Sequence, residues 1–64
     1  MKTTDQIERD ARTLLLRTRI QQDLFDDTMM FVFINEEGKA SATFTTFIEA
    51  YRYRLNYIGS KLEG

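Results

Sequence analysis

Two pairs of adjacent carboxylates, Asp26-Asp27 and Glu36-Glu37, are the residues of this chain best suited to acid–base work, and Asp26-Asp27 with Asp23 are those best suited to attract a cation. Acid–base catalysis needs two carboxyl groups converging on one point, in surroundings that push their pKa values apart. Adjacent residues point in different directions, and a chain of 64 residues has little room for a cleft. Both pairs therefore read as solvated loop charges. The sequence contains neither His nor Cys. The usual nucleophile–base dyads and triads cannot be built without them, and the common zinc ligands are missing. Ser41 and Ser60 have no activating base nearby in sequence. Lys2, Lys39 and Lys61 stand in contexts that give no reason for a depressed pKa. Gly38, Gly59 and Gly64 are scattered and form no phosphate loop, and no calcium-loop spacing occurs. The expectation is a protein with no catalytic residues, no metal and no cofactor.

Binding chemistry is better represented. Tyr53 and Tyr57 lie four positions apart, flanked by Arg54 and Lys61. Tyr and Arg are enriched at binding hot spots, and the outer side of a helix carrying them makes a candidate partner-binding surface. The alternative is a small nucleic-acid-binding regulator that uses Arg12, Arg19, Arg52, Arg54 and Lys61. Of the arginines between positions 9 and 19, Arg12 and Arg19 share a helical face, Arg9 is off to one side, and Arg17 is elsewhere. Glu8 and Asp23 partly neutralise the shared face. The whole chain has 9 Lys+Arg against 10 Asp+Glu, without the basic excess of a general polyanion binder. A protein partner is the favoured expectation.

The elements that would carry these residues read as helix, hairpin, helix. The first helix is expected from about Asp5 to Phe25, opened by a capping box of Thr3 and Gln6. Ile7, Ala11, Leu14, Leu15 and Phe25 make one apolar face, and Leu16, Ile20 and Leu24 make a second stripe. Asp26-Asp27 oppose the helix dipole at its C-terminus and are read as turn residues. The hairpin is expected over Thr28 to Thr45, with Asn35-Glu36-Glu37 in a type I turn and Gly38 in the left-handed region. Its second strand alternates Ala40, Ala42 and Phe44 with Ser41, Thr43 and Thr45. The second helix opens with a capping box of Thr46 and Glu49, and its predicted core stripe is Phe47, Ile48, Tyr51, Leu55, Ile58 and Leu62.

The run Met29 to Ile34 is apolar on both faces of a strand, Met30, Val32 and Ile34 on one and Met29, Phe31 and Phe33 on the other. A chain this short covers one sheet face with its own helices and leaves the other in need of a partner. The reading is a single α+β domain over residues 1–64, in order α-β-β-α, that forms an obligate homodimer. Leu16, Ile20, Leu24, Met29, Phe31 and Phe33 are the expected dimer interface. Ribbon–helix–helix dimers place one strand before two helices, an order this chain does not have. The longest apolar run is far short of a membrane span, and the first residues lack the apolar region of a secretion signal. A cytoplasmic, non-catalytic interaction or regulatory protein is expected, of the kind common among accessory proteins of phages and mobile elements.

Overall fold

The computed structural model describes residues 3–63. Lys2 and Gly64, weighed above, lie outside them. The elements are α1 (Thr4–Arg17), β1 (Arg19–Phe25), β2 (Thr28–Ile34), β3 (Ala40–Phe44) and α2 (Phe47–Glu63). The three strands form one antiparallel sheet in the order β1-β2-β3. The protein is α+β, as expected, but with three strands where the sequence reading had two.

The extra strand comes out of the expected first helix. Helix α1 stops at Arg17, and Arg19 to Phe25 pair with β2 from Arg19↔Ile34 to Phe25↔Thr28. Ile20 and Leu24 therefore do not belong to a helical stripe with Leu16. They lie on one face of a strand, level with Phe33 and Met29. A spacing of four residues fits a helical period and a strand period equally well, because it is one helical turn and also two strand repeats. The connection to β2 is Asp26-Asp27, with φ of 50° and 65°. Two positive φ angles in a row make the tight hairpin turn whose twist suits flanking strands, and Asp tolerates that region better than most residues.

What ends α1 is a contact from far along the chain. Thr18 adopts an extended conformation, and its amide and hydroxyl both donate to the Leu14 carbonyl, at 2.9 and 2.7 Å. Arg54 of α2 donates from Nε to Thr18 Oγ1 at 3.1 Å and from Nη2 to the carbonyls of Thr18 and Leu15. The last carbonyls of a helix lack intrahelical partners, and a guanidinium supplies donors there with the charge sign that the dipole favours. Thr18 is buried as a result.

The second hairpin follows its expected design. Asn35 Oδ1 accepts from the amides of Glu37 and Lys39, the Gly38 amide donates to the Asn35 carbonyl, and Gly38 has φ of 80°. One detail differs. Between β2 and β3 the register shifts at Phe33/Ile34, so Ser41 is an extra residue between Ala42, opposite Phe33, and Ala40, opposite Ile34. The bulge puts Ala40 out of step with Ala42 and leaves it exposed. Both caps are formed. Thr3 Oγ1 accepts from the Gln6 amide, and Thr46 Oγ1 accepts from the Glu49 amide while donating to its carboxylate.

Helix α2 packs across β2 and β3. Phe33 is the centre of the contact, 0% exposed, with the rings of Tyr53 and Tyr57 at 5.3 and 5.0 Å. Phe31 meets Phe47, and Phe44 meets Tyr53. The face of β2 covered by the chain's own helix is thus the one carrying Met29, Phe31 and Phe33. On the other face Val32 is buried between its cross-strand neighbours Gln21 and Thr43. Helix α1 lies against the second half of α2, and none of its residues is buried. The molecule is elongated, 46 × 19 × 15 Å.

Candidate functional site

The two flanks of α2 have different fates. On one flank Tyr53 and Tyr57 turn onto the sheet, with Tyr53 reaching Phe44 and the Ser41 hydroxyl. The Tyr57 hydroxyl donates to both carboxylate oxygens of Glu36, at 2.8 and 2.9 Å. Lys61 stands 3.6 Å from the same carboxylate and lies over the Tyr57 ring. These contacts tie the hairpin loop to the helix. The hydrogen bond from Tyr57 holds the Glu36 carboxyl below its ordinary range, helped by Lys61. Partial burial and the Glu36 carboxylate push the Tyr57 phenol up to about 12.

Tyr53, Arg54, Tyr57 and Lys61 are at least partly exposed, as expected, but the placement of the tyrosines on a side of α2 turned away from the core is corrected. Tyr53 and Tyr57 are half-buried against Phe33, and Arg54 is spent on the end of α1. Only Lys61 is exposed, and it is engaged with Glu36. The apolar residues predicted as the core stripe of α2 overlap this surface little. The helix turns its aromatic hydroxyl-bearing face inward because Phe33 offers edge-on ring contacts and Glu36 offers an acceptor for a hydroxyl. Sequence periodicity weighs hydrophobicity alone and sees neither partner.

The opposite flank is open. Phe47, Ile48, Tyr51 and Leu55 were expected in the core and are exposed, and only Ile58 of that stripe is buried. Tyr51, Leu55, Ile58 and Leu62 follow one another at helical spacing on the side of Arg54, the residue that reaches α1. This side overlooks β1. Ile20 and Leu24 of β1 share the helix-bearing face of the sheet with Met29, Phe31 and Phe33, but α2 sits on the other two strands. Leu24 is 67% exposed, and Leu16, at the end of α1, is 81% exposed. Leu15 and Met29 are exposed as well.

Of the six residues expected at a dimer interface, Leu16, Leu24 and Met29 are exposed, and Ile20 and Phe31 are half-buried. Phe33 is not available, since Tyr53 and Tyr57 enclose it within one chain. The basic residues of the nucleic-acid alternative are spread over α1, β1 and both flanks of α2, with Arg54 and Lys61 already bonded within the chain.

Other sites are poorly supplied. A cleft of about 220 Å³ lies between α1 and the end of α2, lined by Asp10, Thr13, Leu14, Lys61 and Leu62. It is smaller than most small-molecule pockets. Among the described residues, no group of three His, Cys, Asp or Glu is placed to hold a metal ion. No helix among them is long and apolar enough to cross a membrane. No known family matches the chain, and no curated protein or solved structure matches it.

Proposed function

We propose that this chain is a non-catalytic protein-interaction module that works as a homodimer, associating through the open flank of α2 and the adjoining β1. The imbalance between core and surface carries the reading. Phe33 is the one large side chain fully enclosed among the described residues, while ten large apolar side chains stand exposed. Scattered apolar residues on a surface are ordinary, but Leu24 and Met29 are paired on one face of the sheet and Tyr51 and Leu55 stand on the helix that packs on that face, and such clustering marks a contact surface.

The area supports the same reading. The accessible surface is 4963 Å², where a folded monomer of this mass has about 4,300 Å². The surplus of about 660 Å² is what an elongated chain with little-covered elements presents to a partner. It has visible sources in α1, which buries none of its residues, and in the uncovered face of β1. A second copy is the partner that suits this surface best. It is present whenever the chain is made, and a formal net charge of -1 opposes pairing little. The dimer would then be the unit that binds another macromolecule in an accessory or regulatory role.

Sedimentation equilibrium from nanomolar to millimolar protein tests the proposal. A monomer–dimer equilibrium with a micromolar or tighter constant is expected. A folded monomer across the whole range overturns it.

A further inference from the structure

The sheet has two edges, and they are built differently. Strand β3 has five residues, carries the Ser41 bulge, and has Tyr53 reaching over to Ser41. Strand β1 has seven residues, pairs with β2 without a bulge, and contains neither Pro nor Lys. Bulges, short length, Pro and charged side chains, Lys above all, are the usual protections of an edge; β1 has only the charges of Arg19 and Asp23, and a long edge with so few of them is a template for another strand. We propose that two copies pair antiparallel through β1 about a twofold axis at Gln22, joining their sheets into one of six strands. This rests on the homodimer reading and specifies its geometry.

The register follows from the residues. Gln22 is the midpoint of Arg19–Phe25, so an axis there pairs the strand along its entire length. Ile20 then lies opposite Leu24 of the partner subunit, apolar against apolar, on the face that already carries the helix. Gln21 lies opposite Asp23 of the partner subunit. The amide of Gln21 already donates to Asp23 within one strand, at 3.0 Å, so the two groups are suited to exchange that bond across the axis. Arg19 lies diagonal to the partner's Asp23, within reach of a long side chain. The one mismatched pair is at the ends of the strand, where Arg19 lies opposite Phe25 of the partner subunit.

The neighbouring registers are worse for definite reasons. An axis at Asp23 sets two carboxylates directly opposite one another, which is destabilising. An axis at Gln21 leaves Leu24 and Phe25 outside the paired strand and sets Ile20 against Gln22. A slip by a single residue matches the apolar face of one strand with the polar face of the other and puts the two helices on opposite sides of the sheet. In the proposed register the open flanks of the two α2 helices look toward each other across a shared floor of Ile20 and Leu24.

The test uses the absence of cysteine from the chain. Gln22→Cys introduces a single thiol at the axis, on an exposed position. A short bis-maleimide should link it into a covalent dimer at least tenfold faster than Ser41→Cys on the other edge. Sedimentation of the unlinked proteins runs alongside. A dimer whose position 22 links no faster than position 41 overturns the β1 pairing and leaves the homodimer reading standing. A monomer at all concentrations overturns both. A charge exchange provides a second reading that does not depend on cysteine. Asp23→Arg alone should weaken the dimer at least tenfold, and Arg19→Asp added to it should restore most of the loss. A double variant no tighter than the single one contradicts the register.

Discussion

The flank of α2 over β3 is closed, and the flank over β1 is open. On the closed side aromatic rings meet Phe33 and Phe44, and Tyr57 and Lys61 are bonded to the hairpin loop. On the open side Ile48, Tyr51 and Leu55 are exposed, Phe47 is half exposed although it meets Phe31, and Leu24 of β1 is 67% exposed. One helix therefore serves an internal contact and an external surface. The lesson is that hydrophobicity alone does not locate a core. Most of the apolar stripe of α2 is exposed, while Ala50 and Ile58 are the helix's buried residues and Tyr53 and Tyr57 pack half-buried on Phe33.

The largest effect should come from the closed side. Phe33→Ala removes the fully enclosed ring, and such truncations cost about 3–5 kcal/mol. A domain of this size holds only about 3–10 kcal/mol in total. Urea denaturation should therefore find the variant largely unfolded before denaturant is added. A loss below about 1 kcal/mol, where truncations of packed rings do not fall, would show that this side is not the core.

Next in size is the joint between the two helices. Arg54→Ala removes donors from Thr18 Oγ1, the Thr18 carbonyl and the Leu15 carbonyl. Hydrogen bonds from a charged group contribute roughly 1.5–3 kcal/mol, some of which water will replace at the exposed Leu15. The loss should be local. Hydrogen exchange should show the amides of α1 losing protection, while those of β2 and α2 keep theirs. Equal loss in every element would mean that Arg54 supports the whole fold and not the docking of α1.

On the open side the expected change is in association. Leu24 is mostly exposed in one copy, so Leu24→Asp should alter the stability of a dilute monomer by no more than about 0.5 kcal/mol. Buried in a dimer, an unpaired carboxylate is costly. The dissociation constant should rise at least tenfold, about 1.4 kcal/mol. Analytical ultracentrifugation compared with dilute thermal unfolding separates the two. If unfolding shifts and association does not, the open flank is not the contact surface.

Much of this architecture was legible in the sequence, and its failures have physical causes. Local signals were sound: the Thr3 and Thr46 caps and the Asn35–Lys39 turn depend on residues within four positions of one another. The boundary at Arg17 was not legible because Arg54, 36 residues beyond Thr18, helps to fix it. A signal for β1 did exist in Asp26-Asp27. Two acids make a poor helix end and a workable two-residue hairpin turn, and the second reading would have set Phe25 against Thr28. The inward turn of Tyr53 and Tyr57 left no trace in periodicity, since their partners Phe33 and Glu36 lie on another element and a loop. The apolar excess for a short chain was legible, but its assignment was not: Phe31 and Phe33, expected at an interface, pack under the chain's own α2.

The smallest effect sharpens the closed side through pH. Glu36 has its carboxyl lowered from 4.5 by the Tyr57 hydrogen bond. A lowered acid adds stability that is fully present above its unfolded pKa and is lost as pH falls through its folded one. Tyr57 has its phenol raised from 10.0 to about 12. The folded state resists ionising this group, so its contribution is complete below pH 10.0 and declines as pH rises toward about 12. Stability should therefore weaken at both ends, in acid through Glu36 and in strong base through Tyr57. Tyr57→Phe keeps the ring against Phe33 and removes the hydroxyl. It should cost about 1 kcal/mol or less at neutral pH, since the bond is partly exposed. Its two signatures lie at the extremes. Measured by thermal melting, the variant should lose less than the parent on acidification below pH 4.5 and on alkalinisation above pH 10.0. Parallel curves for the two proteins would mean that the Tyr57–Glu36 bond does not persist in solution, leaving Lys61 as the helix's hold on the hairpin loop.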